Sequence, residues 1–212
     1  MGMFTSTLLL NGVSASQVVA AFRKHRRKSV IIDLDVASGT AEAETKQVLV
    51  LDKALSGVDK YESVRQVLTE ALAGNADALV AYTNIHDDDV LITFVTRIDA
   101  VVDEFMSNPE YLGVSDEERE KYRGGQNWLA LAVAYQRKEN AEALRAVMHP
   151  ATSDAYVFES DRLLRMSELL GWPGELLTTL TYEDFLDENS ELVANIPATA
   201  IFRTGVRKQS KQ

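Results

Sequence analysis

Asp33 and Asp35 stand directly after the apolar run Val30, Ile31 and Ile32, where a buried strand should meet a loop. Ligand groups of open α/β sheets gather at such strand ends, and two carboxylates two residues apart can share a hard cation such as magnesium, which takes oxygen ligands. A second acidic group, Asp87, Asp88 and Asp89, follows His86 in the link between two β-rich runs. Consecutive turn residues cannot all face one metal centre, and Asp in a turn more commonly satisfies local backbone donors. The same loop can also serve as an exposed acidic knob for a basic partner, and Asp116, Glu117 and Glu118 extend that surface chemistry within the acidic stretch from Asp99 to Glu120.

The string VIIDLDVASGT around Asp33 and Asp35 partly resembles the first motif of haloacid-dehalogenase-like phosphohydrolases, and ALVAYTN, which closes on Thr83 and Asn84, resembles their second. The resemblance implies Asp33 as a nucleophile toward phosphorus, Asp35 as the acid that protonates the leaving group, Thr83 as a ligand of a phosphoryl oxygen, and magnesium as cofactor. It covers these positions only. A strand and a helix precede Asp33, no family lysine can be placed, and the late acidic pair would fall within Asp87 to Asp89, immediately after Thr83.

Composition narrows the field. The 212 residues are 46% hydrophobic, enough for one substantial core, and carry a formal charge of -10 with an isoelectric point near 4.8. Such a field repels polyanions, which argues against nucleic acid and anionic membrane as partners. The basic run Arg23 to Lys28 has no interleaved aromatic residue and sits where a helix should end, so its charge answers the helix dipole. With no cysteine there is no disulfide framework, no thiolate zinc site and no cysteine nucleophile, and a cytoplasmic address fits best. No apolar run reaches membrane-spanning length. His25 and His149 have no Ser or Asp partner that spacing can assign, and both are expected at the surface, as is part of Trp172 between Gly171 and Pro173.

The elements that must hold these groups follow from local signals. Phe4 to Leu10 reads as a strand; Ser14 with Gln17 makes a capping box for the next helix, with Val13 and Val18 as its hydrophobic staple. Val30 to Leu34 and Val48 to Leu51 read as strands buried on both faces, separated by a loop over 36–46. Asp59 and Glu62 announce a helix carrying Tyr61, Val64, Leu68, Ala71 and Leu72 on one stripe, ended by Gly74 and Asn75. The runs Ala78 to Thr83 and Val90 to Thr96 make a hairpin. From Ile98 the spacing of Val101, Val102, Phe105 and Met106 predicts a helix, and Ser115 with Glu118 predicts another. Trp128 to Gln136 is apolar around most of its circumference and should pack deeply. Tyr156 to Phe158 reads as a brief strand, Leu163 to Leu170 as a helix closed by Gly171, Thr181 to Asn189 as a helix capped by Thr181 and Asp184 with a Leu180–Phe185 staple, and Ala198 to Thr204 as a returning strand.

The expectation is an α+β protein: a mixed sheet with helices packed on it over residues 1–106, a helix-rich portion over 107–206 packing on the same body with a returning strand near 198–204, and a disordered tail at 207–212. The leading functional expectation is a non-catalytic acidic binding module, of the inhibitor, immunity-protein or adaptor kind, that engages a basic protein through His86, Asp87, Asp88, Asp89, Asp116, Glu117 and Glu118, with no cofactor. Self-association is compatible with the same features. The alternative is a magnesium-dependent phosphoryl-transfer hydrolase that uses Asp33 and Asp35, with Thr83.

Overall fold

A computed structural model describes residues 4–38, 46–55, 62–98, 100–113, 115–117, 119, 124–150, 156, 158–187 and 190–205. Its strands are β1 (Phe4–Asn11), β2 (Ser29–Asp33), β3 (Gln47–Asp52), β4 (Leu79–His86), β5 (Val90–Thr96), β6 (Val101–Met106) and β7 (Ile201–Thr204). Its helices are α1 (Ala15–Lys24), α2 (Leu34–Ser38), α3 (Glu62–Leu72), α4 (Trp128–Ala134), α5 (Ala141–Met148), α6 (Glu159–Leu170), α7 (Gly174–Thr179) and α8 (Glu191–Ala194). The strands form one seven-stranded sheet in the order β6-β5-β4-β1-β3-β2-β7.

The α+β class stands, and every neighbouring pair of strands is antiparallel where the element order suggests mixed pairing. The reason lies in the crossovers. The chain passes from β1 through α1 to β2 and from β3 through α3 to β4, and each passage skips one strand, so helix-linked strands run parallel without touching. This interleaved βαββαβ connectivity is the split, ferredoxin-like arrangement. The hairpin partner β5 and then β6 extend it at one edge, and β7 extends it at the other.

Side-chain alternation divides the core into two layers. Leu8, Leu10, Ile31, Val48, Val50, Val80 and Tyr82 face α1 and α3 through Val18, Phe22, Val64 and Leu68. Leu9, Ile32, Leu49, Leu51, Ala81, Ile85, Leu91 and Val95 face the C-terminal helices through Leu131, Leu144, Leu163, Met166 and Leu177. The sheet is thus covered on both sides.

Local signals explain much of this. Ser14 and Gln17 make the full capping box of α1, and Val13 and Val18 are both buried at its entry. Gly171 closes α6 in the left-handed conformation at φ 73, which a side chain would strain. Asp59 and Tyr61 of the predicted α3 start, Glu118 of the predicted capping box and the 207–212 tail lie outside the described residues.

Five expectations change. The stretch from Ile98 forms strand β6 instead of a helix: Thr96 Oγ1 donates to the carbonyls of Arg97 and Ala100, closing a tight connection after β5, and the β-branched Val101 and Val102 then pair back on it. α4 buries only Leu131 and Ala132 fully and leaves Leu129 and Val133 half-exposed, because one side of this short helix is all that meets the sheet. Trp172 is buried and Trp128 is the partly exposed tryptophan, since the chain turns inward after Gly171. Phe158 belongs to no strand and is the residue that opens α6, while Thr181 and Asp184 close a single 3-10 turn over Glu183–Phe185 with Leu180 and Phe185 buried as a staple.

Candidate functional site

At one end of the sheet the β4–β5 hairpin turns through His86, Asp87, Asp88 and Asp89. Asp89 N–H donates to the His86 carbonyl at 3.1 Å, and Asp87 and Asp88 both take left-handed φ values, 55 and 60. Tight hairpin turns demand this conformation, and Asp tolerates it better than most side chains.

The three aspartates have different roles. Asp88 reaches across to α6: its backbone carbonyl accepts from Glu159 N–H at 3.1 Å, and its carboxylate accepts from Ser160 N–H at 2.9 Å and from the Ser160 hydroxyl at 3.2 Å. The residue opening α6 is Phe158, which has no side-chain oxygen to offer the helix, so Asp88 supplies the cap from another element. Asp88 is therefore a structural group. Asp87 and Asp89 stay exposed, and the Asp89 carbonyl accepts from Asn108 Nδ2 at 2.7 Å. Asn108 also donates to Glu159 Oε1 at 3.1 Å, which ties the turn, the end of β6 and the start of α6 together.

Beneath this knot lies a buried ion pair, Arg162 Nε to Glu159 Oε2 at 3.0 Å, with the guanidinium over the Tyr156 ring at 5.0 Å and the Phe105 ring at 5.8 Å. Burial pushes the Glu159 carboxyl up and the Arg162 guanidinium down, and each partner's charge opposes the shift of the other. Further along β6, Asp103 is buried and accepts from Asn127 N–H at 3.2 Å at the start of α4. Burial raises its carboxyl to about 6. The start of α6 is thus held by the hairpin turn and the residue before α4 by β6.

Around the turn the surface is aromatic. Phe4 is 54% exposed and meets the His86 ring edge-on at 5.0 Å. Phe158, 53% exposed, directly precedes the residue that bonds Asp88. Tyr111, 66% exposed, lies in the 3-10 turn after Asn108, beside the exposed Glu110. Asp116 and Glu117 are exposed a few residues on, and the Asp116 carboxylate pairs with Arg119 at 2.8 Å. Phe4 and Phe158 are thus exposed beside the acidic turn, and Tyr111 with the carboxylates of Glu110, Asp116 and Glu117 is exposed in the segment that follows Asn108. The carboxylates were visible in the sequence. Phe4, Tyr111 and Phe158 were missed, and the signal for Phe158 was an aromatic residue at a helix start where Ser, Thr, Asp or Asn belongs.

The other proposed residues are dispersed. Asp33 Oδ1 accepts from Val36 N–H at 3.3 Å and caps α2, while Asp35 Oδ1 accepts from Gln47 N–H at 3.4 Å. Burial, with the Asp33 charge adding to it, raises the Asp35 carboxyl, and the Gln47 bond and Lys46 oppose the rise. Thr83 is buried and shares a 2.6 Å hydrogen bond with Thr7. Through the register of β2, β3, β1 and β4, Asp33 lies level with Val80, so Thr83 is roughly 14 Å across the sheet and about 10 Å along it from Asp33. Asp33, Asp35 and Thr83 do not form one site for magnesium and a phosphoryl group.

Half of the basic run is paired: Lys24 and His25 both contact Glu70, at 2.7 and 3.0 Å, and Arg27 holds the buried Asp52. His149 is half-buried, within hydrogen-bond distance of the Gly125 carbonyl at 3.0 Å and edge-on to Phe105 and Trp128. Among the described residues no group of three or more His, Asp or Glu side chains is placed to hold a metal ion, and no helix is long and apolar enough to cross a membrane. No family model, no curated protein and no solved structure matches the chain.

Proposed function

We propose that the chain is a non-catalytic binding module that presents the hairpin end of its sheet to a basic partner protein. The observation that carries this is the exposure of Phe4 and Phe158, both more than half exposed, beside the acidic turn, with the exposed Tyr111, Glu110, Asp116 and Glu117 following in the chain after Asn108, which bonds that turn. Aromatic residues supply the buried anchors of protein interfaces, and a carboxylate rim speeds encounter with a positively charged surface and selects among partners. The contact surface of this reading is Phe4, His86, Asp87, Asp89, Glu110, Tyr111, Asp116, Glu117 and Phe158, with Asp88 holding it in shape.

Phe158 adds a second support. It occupies a position where a small polar residue would stabilise α6, so the fold gives up a local cap and borrows one from the hairpin. An exposed aromatic kept at such a site is better explained by contact than by folding. An inhibitor, an immunity-type protein or an adaptor acting in the cytoplasm would have this form.

Affinity capture from lysate tests the proposal, with wild type beside Asp87→Ser/Asp89→Ser and Tyr111→Ser. The expected result is one basic protein retained by wild type, weakened by added salt and depleted with both variants. Equal retention by all three chains would overturn the assignment of this surface.

A further inference from the structure

The opposite end of β1, about 24 Å from Phe4, holds a cleft of a different kind. It has a volume of about 820 Å³ and lies where the ends of α3, α4 and α6 approach the ends of three central strands at Asn11, Gln47 and Leu79. That volume suits a small molecule.

Asn11 and Tyr135 line it, and Trp172 lies directly behind Tyr135. Asn11 Nδ2, the Tyr135 hydroxyl and Trp172 Nε1 are all buried, and none makes a hydrogen bond of normal geometry. Asn11 and Trp172 are more than nine-tenths buried. The three belong together: the Tyr135 and Trp172 rings meet edge-on at 5.4 Å, and Asn11 and Trp172 both face the Tyr135 oxygen. A phenol oxygen approached by two donors still has its own proton to place, and native interiors seldom leave such groups unsatisfied.

At the mouth stands Arg137. Its guanidinium lies over Gly171, 3.5 Å from where a Cβ would sit, and it has no carboxylate partner among the described residues. The nearby acceptors are already engaged. The Gly171 carbonyl takes Gln47 Nε2 at 3.2 Å, and the fully exposed Asp77 carboxylate is 3.8 Å from Arg97. The cleft therefore offers an amide, a phenol and a guanidinium as donors, and a charge that calls for an anion.

We propose that this cleft binds a small carboxylate-bearing organic molecule. Arg137 takes the carboxylate at the mouth, where its planar fork matches two oxygens, and the Tyr135 hydroxyl, held by Trp172 behind it, donates with the Asn11 amide to oxygen placed deeper. The site is separate from the hairpin end, so either can fail without the other.

The indole N–H resonance of Trp172 reads the cleft through its contact with Tyr135. In a Trp128→Phe background it is the single indole signal, since the chain has two tryptophans. Sodium acetate, succinate and benzoate are titrated separately, each against its amide at matched ionic strength. The expected result is a saturable shift of the Trp172 signal with at least one carboxylate and none with its amide. Arg137→Gln, at an exposed position, should weaken that carboxylate about tenfold, and Tyr135→Phe should weaken it without removing the Arg137 dependence. Three flat titrations, an amide that shifts the signal as its acid does, or an Arg137→Gln chain that binds as wild type would each overturn the proposal.

Discussion

Replacing Asp88 separates an acidic residue that builds the hairpin end from those that decorate it. Asp88→Ala removes both carboxylate bonds to Ser160 and leaves the Ser160 N–H of α6 without its cap. Loss of an N-cap costs about 0.5–2 kcal/mol, and loss of a negative charge at a helix N-terminus about 0.3–1 kcal/mol more. Alanine must also hold φ 60, for roughly another 1 kcal/mol. The sum is about 2–4 kcal/mol, or roughly 4–16 °C in Tm for a domain of this size. Asp88→Asn keeps an acceptor and tolerates the left-handed turn, so it should cost about 0.5–1 kcal/mol. Urea unfolding followed by far-ultraviolet circular dichroism measures both: the midpoints should fall in the order wild type, Asn, Ala, with the slope unchanged. A double-mutant cycle with Ser160→Ala should show coupling above about 0.5 kcal/mol. An Asp88→Ala midpoint equal to wild type would mean that the carboxylate is free, and the trans cap would have to be abandoned.

Other outcomes follow from the same geometry. Asp103 has a folded pKa of about 6 against roughly 3.9 unfolded, so its contribution to stability is fully present below about pH 4 and is lost as pH rises through about 6. Asp103→Asn, which keeps an acceptor for Asn127 N–H, should gain on wild type by about 2–3 kcal/mol between pH 4 and pH 8; a flat difference across paired unfolding curves would contradict the burial of a titrating carboxyl. Glu159→Gln leaves the Arg162 guanidinium buried and unpaired and should cost about 3–5 kcal/mol, whereas Glu159→Leu with Arg162→Met should cost less than either single change. A double variant weaker than both singles would show that the pair's hydrogen bonds matter more than its desolvation. Phe158→Ser places a hydroxyl at the extended residue that opens α6 and should stabilise the fold by about 0.5–1 kcal/mol while weakening partner capture. Lower stability would mean that the Phe158 ring packs in a way its exposure does not reveal.

What could be read from the sequence was local. Ser14 and Gln17 lie three residues apart, and their capping box appears as the spacing implies; Gly171 ends its helix for an equally local reason, the freedom to take a positive φ. The buried runs at Val30 and Val48 also came through, because a continuous apolar run has few places to go in a two-sided core, and the returning strand expected over 198–204 forms over Ile201–Thr204 after a 3-10 turn at Ala198–Ala200. The misreadings arise where two periods fit or where the partner is distant. Ile98, Val101, Val102, Phe105 and Met106 satisfy a helical stripe, yet alternation puts Asp103 and Phe105 inward from a strand. Asp88 bonds Ser160 across 72 positions of sequence, so no local pattern separates it from Asp87 and Asp89. Thr83 and Asp33 fall in motif-like strings, but the interleaved crossovers place two strands between β4 and β2 and keep the two residues apart.

The most direct measurement of the binding surface is quantitative capture of the basic partner by four purified chains: wild type, Phe158→Ser, Asp87→Ser/Asp89→Ser, and Asp88→Asn. Each chain's folded fraction is checked by circular dichroism beforehand. Phe158→Ser should be at least as stable as wild type and retain markedly less partner. Asp87→Ser/Asp89→Ser should be equally stable, with retention reduced most at low salt, and Asp88→Asn should lose stability before it loses binding. Capture that tracks stability across the four chains, with Phe158→Ser retaining as much partner as wild type, would contradict the assignment of the hairpin end as the contact surface.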